Sequence, residues 1–107
     1  MIEVTYHRKY HRLTVTGHAR SGEKGHDLVC AAVSGLVLTA AENVASFVAQ
    51  GNAKDQIVKL KEGEAEIAMT PNRKMKSVAT LMLDTICTGF QVYEGLYPEN
   101  IRFQVLG

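Results

Sequence analysis

Apolar and polar residues alternate from the start of the chain. Ile2, Val4 and Tyr6 are separated by Glu3, Thr5 and His7, the two-residue period of a strand with one buried face. Leu13, Val15 and Gly17 alternate with Thr14, Thr16 and His18 in the same way. The link, His7-Arg8-Lys9-Tyr10-His11, has neither Gly nor Pro and so no turn signature; His7 and His11 are expected to be exposed in a charged hairpin. From Leu28 the period changes. Val29, Val33, Leu36, Ala40, Val44 and Phe47 recur at spacings of four and three, which predicts a helix to about Gln50, stopped by Gly51-Asn52.

Two short alternations follow. Val58 and Leu60 suggest a third strand, Glu62-Gly63 a turn, and Ala65, Ile67 and Met69 a fourth strand. Thr70-Pro71 reads as a helix start, with Thr70 as cap and Pro71 first in the helix, where its missing N–H costs nothing. That helix is expected to run to about Glu94 and stop at Gly95. Ile101, Phe103 and Val105 predict a last strand. The order β-β-α-β-β-α-β fits an α+β, two-layer sandwich: a mainly antiparallel sheet with two helices on one face. Val37, Leu38, Ala41 and Ala45 on the first helix, and Met75, Val78, Met82, Ile86 and Phe90 on the second, spread apolar surface beyond one face. A sheet covers only one side of a helix, so a homodimer with a helical interface is expected.

At 107 residues the chain is expected to form one domain, 1–107, burying roughly 65% of its unfolded surface. Twelve basic residues against eleven acidic ones give a net charge of +1, which predicts no direct nucleic-acid partner and no membrane attraction. The longest apolar run, Ala31 to Ala41, is short for a bilayer and carries Ser34 and Thr39. Met1-Ile2-Glu3-Val4-Thr5 lacks the plan of a signal peptide, and two cysteines make no disulfide framework. These features read as a cytoplasmic protein with free thiols.

The chemistry concentrates between the second strand and the first helix. Asp27 stands where an N-cap is expected, which makes Leu28, Val29 and Cys30 the first three helical residues. A thiol in the first turn lies near the positive end of the helix dipole, which favours the nucleophilic thiolate. Two histidines are candidate bases. His26 is nearer in sequence, whereas the strand alternation turns His18 away from the helices unless Gly17 re-aims it. Sequence physics leaves this choice open. Gly22 and Gly25 give the loop from Ala19 to Gly25 the freedom to close over a bound peptide, and an ordinary solvated connection fits the same residues equally well; it lacks the ending of a phosphate-binding P-loop. Cys87, set among Leu83, Ile86 and Phe90, reads as a buried small hydrophobe.

The run Gly-His-Ala-x-x-Gly-x-x-Gly-His-Asp-x-Val-Cys-Ala-Ala-x-Ser, Gly17 to Ser34, resembles the signature of the ribosomal-processing cysteine protease (Prp) family. The resemblance implies a cysteine endopeptidase, a thiol protease of ribosome biogenesis. Its substrate would be the large-subunit ribosomal protein numbered twenty-seven, from which it removes a short N-terminal extension. By motif, His18 matches the family's histidine and Cys30 its nucleophile; Asp27 and Ser34 fall on motif positions of less defined role. No cofactor is expected. Two other classes are consistent with the residues: a metal-binding module using His18, His26, Asp27 and Cys30, and a non-enzymatic ribosome-associated adaptor.

Overall fold

The computed structural model describes residues 1–17 and 26–107, His26 and Asp27 by their backbone alone. Its strands are β1 (Ile2–His7), β2 (Arg12–Thr16), β3 (Ala53–Lys61), β4 (Glu64–Pro71) and β5 (Ile101–Leu106). The helices are α1 (His26–Ala49) and α2 (Lys76–Leu96), and 3-10 turns occupy Arg8–Tyr10 and Arg73–Met75. The strands form one sheet in the order β3-β4-β2-β1-β5. All neighbours are antiparallel except β1 and β5, which run parallel with Ile2 opposite Ile101. The expected α+β order holds, with a mixed sheet that is mainly antiparallel.

Alternation becomes burial wherever a helix covers the sheet. Ile2, Val4, Tyr6, Leu13, Val15 and Ile67 are buried beneath Val29, Val33, Val44 and Phe47 of α1 and Ala79, Leu83 and Phe90 of α2. The other sheet face is polar, with Glu66 paired to Arg12 and to Lys59 (3.7 Å), and Glu3 to Arg102 (3.7 Å). The Phe90 and Phe103 rings stack with centroids 6.1 Å apart, joining α2 to β5. The helices meet where Gly89 leaves room: a Cβ there would come within 2.7 Å of the Leu36 side chain. Of the off-stripe residues, Val37 and Ala41 are buried, and Leu38 stays exposed. By length and composition Leu28–Ala49 could cross a membrane, but this is also the character of a core helix, and its stripe of Val29, Val33, Ala40, Val44 and Phe47 is buried in the fold.

Three local expectations are corrected. First, α1 starts at His26, two residues before Leu28, so Asp27 lies inside the first turn and is not the residue that precedes the helix. Cys30 is accordingly the fifth helical residue. Second, Thr70 and Pro71 do not start α2. They finish β4, where Pro71 pairs with Ala53 across a bulge. Asn72 then returns to the end of α1, donating its backbone N–H to the Asn52 carbonyl (2.9 Å) and its amide to the Gly51 carbonyl (2.6 Å). A 3-10 turn follows before α2 begins at Lys76. Third, His11 is buried. It takes a left-handed conformation (φ 50) after the Arg8–Tyr10 turn, and its ring reaches under α2 to Thr80.

Candidate active site

Cys30 is half-buried on α1 and faces a groove of about 360 Å³. One wall is α1 itself, through Cys30, Val33, Ser34, Val37 and Leu38. The floor is Ile2, Val15 and Gly17 at one end of the sheet, and the far wall is the β3–β4 hairpin from Leu60 to Ala65. Ser34, one turn after Cys30, lines the same groove, so these two candidates are brought together. The hairpin wall is a long-range feature; Glu62-Gly63 marks only the turn.

The earlier start of α1 moves Cys30 along the helix without removing it from the helix end. In an α-helix each Cα–Cβ bond tilts toward the N-terminus, so a side chain lies over the turn before its own Cα. A fifth-position thiol is thereby carried back toward the first turn, where backbone N–H groups have no partner within the helix. The backbone N–H of Cys30 itself falls within the hydrogen-bonded ladder, so the oxyanion donors expected there are sought in the turn before it.

Gly17, the last described residue before His18, lines the groove. Its φ of 94 lies in the region that favours glycine, and a Cβ there would collide with the Met1 carbonyl oxygen. Gly17 therefore leaves the extended conformation immediately after β2 ends at Thr16. Its N–H donates to the Gly63 carbonyl at 2.9 Å and fixes β2 to the hairpin wall. His18, Gly22, Gly25 and the side chains of His26 and Asp27 lie outside the described residues, as does the expected closing loop. Of the four ligands considered for a metal, only Cys30 has a described side chain.

The two cysteines, neither in a disulfide, differ in environment: Cys30 is half-buried and Cys87 buried. Cys87 is 4% exposed, and its thiol is pushed up to about 12, first by burial and then by the Asp84 carboxylate. It belongs to a polar group the sequence did not reveal. The Tyr6 hydroxyl donates to Asp84 Oδ1 (3.0 Å), and Arg8 Nε and Nη2 donate to the same carboxylate at 3.0 Å each. Arg8 holds the Asp84 carboxyl below its ordinary range, while burial and Asp84 raise the Tyr6 phenol.

The family model described as Cysteine protease Prp matches residues 1–102. The chain belongs to the cysteine protease Prp family. That family is one of thiol proteases, hydrolases of peptide bonds. A Prp relative, the ribosomal processing cysteine protease Prp of Mycoplasma pneumoniae, is 50% identical over 40 residues, which span 37% of this chain and 38% of that protein. Among solved structures, an essential ribosomal processing protease Prp from S. aureus, with a covalently linked product peptide, superposes with a TM-score of 0.71 at 24% identity. That match covers 98% of this chain and 97% of the other. The same comparison with SMU.848 from Streptococcus mutans gives a TM-score of 0.71 at 23% identity, covering 99% and 94%. At these identities the structures establish the Prp fold.

Proposed function

We propose that the chain is a cysteine endopeptidase with Cys30 as nucleophile and His18 as base, and that it removes a short N-terminal extension from a large-subunit ribosomal protein. The observation that carries this reading is the position of Cys30: half-buried, at the N-terminal end of α1, on the wall of a groove open to a peptide. The Cys30 sulfur attacks the scissile carbonyl carbon and forms a C–S bond, and the π electrons move to oxygen. Donors near the first turn of α1 stabilise that oxyanion. Collapse breaks the C–N bond, and the imidazolium of His18 gives its proton to the leaving amine. Water, deprotonated by the same imidazole, then attacks the thioester, releasing the acid and restoring the thiol. The S. aureus protein was solved with a substrate peptide, which supports a peptide as the class of ligand for this groove.

Two further readings complete the proposal. Val78, Leu81, Val92 and Leu96 are exposed along α2 at near-heptad spacing, which suits a helical interface between two copies. Two cysteines outside any disulfide suit the cytoplasm. The deciding experiment incubates the protein, beside Cys30→Ala and His18→Ala, with ribosomal proteins carrying N-terminal extensions and reads product masses. A single truncated product that disappears in both variants is expected; no cleavage of any extension by the wild-type protein overturns the reading.

A further inference from the structure

The net charge of +1 conceals a segregation. Arg8 and Lys9 lie in the turn between β1 and β2, Arg12 opens β2, and Arg73, Lys74 and Lys76 lie where the chain enters α2. These are half of the 12 Lys and Arg residues, and all are exposed. The fold brings the two segments together. His11 Nε2 lies 2.8 Å from Thr80 Oγ1, the Thr80 hydroxyl donates to the Lys76 carbonyl (3.0 Å), and Met69 donates its N–H to the His11 carbonyl (3.2 Å). Asp84 offsets Arg8 and Glu66 offsets Arg12, while Lys54 and Asp55 at the start of β3 add no net charge. Lys9, Arg73, Lys74 and Lys76 make no ion pair among the described residues. Beside Lys9 stands Tyr10, 69% exposed, its ring given to solvent.

This cluster lies at the opposite end of the strands from the Cys30 groove, which is floored by the start of β1 and walled by the start of β4. We propose that the basic end is a second binding surface, which takes the phosphate backbone of a single-stranded nucleic acid with Tyr10 as a platform for one base. Unpaired exposed cations supply the sequence-independent attraction to phosphate. An acidic protein would use the cations equally well. The exposed ring among them is the feature that favours bases, since every base has a π face to stack on it. The charge total predicts no such partner; the charge distribution does. The inference is independent of the proteolytic reading.

Fluorescence anisotropy with labelled mixed-sequence oligoribonucleotide and oligodeoxyribonucleotide tests it on the full chain. Micromolar binding is expected, with log K against log salt falling at a slope of about −3, from about −0.7 per phosphate contact for four cations. Replacing Lys9, Arg73, Lys74 and Lys76 together with Ala should abolish binding with an unchanged circular dichroism spectrum. Tyr10→Ala should weaken it about tenfold without altering the salt slope. Cys30→Ala and Arg102→Ala should bind as the wild type does. Comparable affinity of RNA and DNA identifies backbone and base stacking as the determinants; preference for one adds a sugar contact to the same surface. The proposal is overturned if neither oligonucleotide binds at low salt, or if the fourfold variant binds undiminished. Equal affinity for polyglutamate or for phosphatidylserine vesicles likewise overturns it, in favour of an acidic protein or a membrane.

Discussion

Gly17 donates its N–H to the Gly63 carbonyl at 2.9 Å, so the residue that ends β2 also holds the hairpin that walls the Cys30 groove. Floor and far wall are thus one hydrogen-bonded unit, and α1 closes the third side. The groove depends on a backbone conformation that a single methyl group would disturb.

Gly17→Ala should therefore cost stability and turnover together. A left-handed φ of 94 carries strain for alanine, and the added methyl meets the Met1 carbonyl. Losses of about 2 kcal/mol or more are expected from these combined effects. Urea denaturation reads the first consequence and peptide cleavage the second. A variant as stable as the wild type would show that the β2 end relaxes without cost.

Cys30 and Cys87 should separate cleanly under iodoacetamide. A thiol pushed up to about 12 presents a thiolate fraction of about 10⁻⁵ at neutral pH, and at 4% exposure Cys87 is also shielded from the reagent. Mass mapping of the native protein should find modification at Cys30 alone, with Cys87 labelled only after unfolding. Labelling of native Cys87 at the rate of Cys30 would contradict its placement in the core.

Stability should fall below neutrality because of His11. Burial holds its folded value below the ordinary histidine value, and the Lys76 and Arg8 charges act in the same direction; the hydrogen bond to the Lys76 backbone carbonyl and the Asp84 carboxylate oppose them. The unfolded chain then binds the proton first, so this contribution is full above about pH 6.5 and is lost as pH falls toward the folded value. Asp84, lowered chiefly by Arg8, behaves as a carboxylate: its contribution is present above about pH 4 and is lost on further acidification. His11→Asn, which tolerates the left-handed conformation, should flatten the midpoint change between about pH 7 and about pH 5 and leave the acid limb intact. An unchanged slope in that window would assign it to other groups.

What the sequence disclosed followed how each segment is covered. β1 and β2 were legible because a helix lies on one face of each, so alternation in sequence is alternation in burial. The α1 stripe was legible for the same reason at the helical period. β3 extends well beyond Val58 and Leu60, but from Lys54 to Lys61 it is exposed on both faces, which leaves no burial pattern to read. Thr70-Pro71 suits a helix start and a strand end equally; pairing with Ala53, distant in sequence, decides it. His11 was misread because a left-handed turn without Gly has no signature. The Gly17–Ser34 run marked Cys30 and Ser34 by motif, whereas the hairpin opposite them depends on tertiary placement alone.

That opposite wall gives the last prediction. Leu38 of α1 and Leu60 of β3 both line the groove, and both are exposed, at 55% and 47%. Side chains so exposed contribute little to the core, so replacing them changes the groove more than the fold. Leu60→Trp places a bulky ring in a space of about 360 Å³ without touching α1. If an extended peptide occupies the groove, cleavage should lose at least about tenfold in kcat/KM, with most of the loss in KM, because a groove contact made equally in ground and transition states acts on binding. Alkylation of Cys30 by iodoacetamide, a reagent smaller than any peptide, should keep its wild-type rate. Leu60→Ala widens the groove instead and should weaken long substrates more than short ones. Should Leu60→Trp cleave with wild-type KM, the peptide takes another path to Cys30, and the hairpin is no wall of the substrate site.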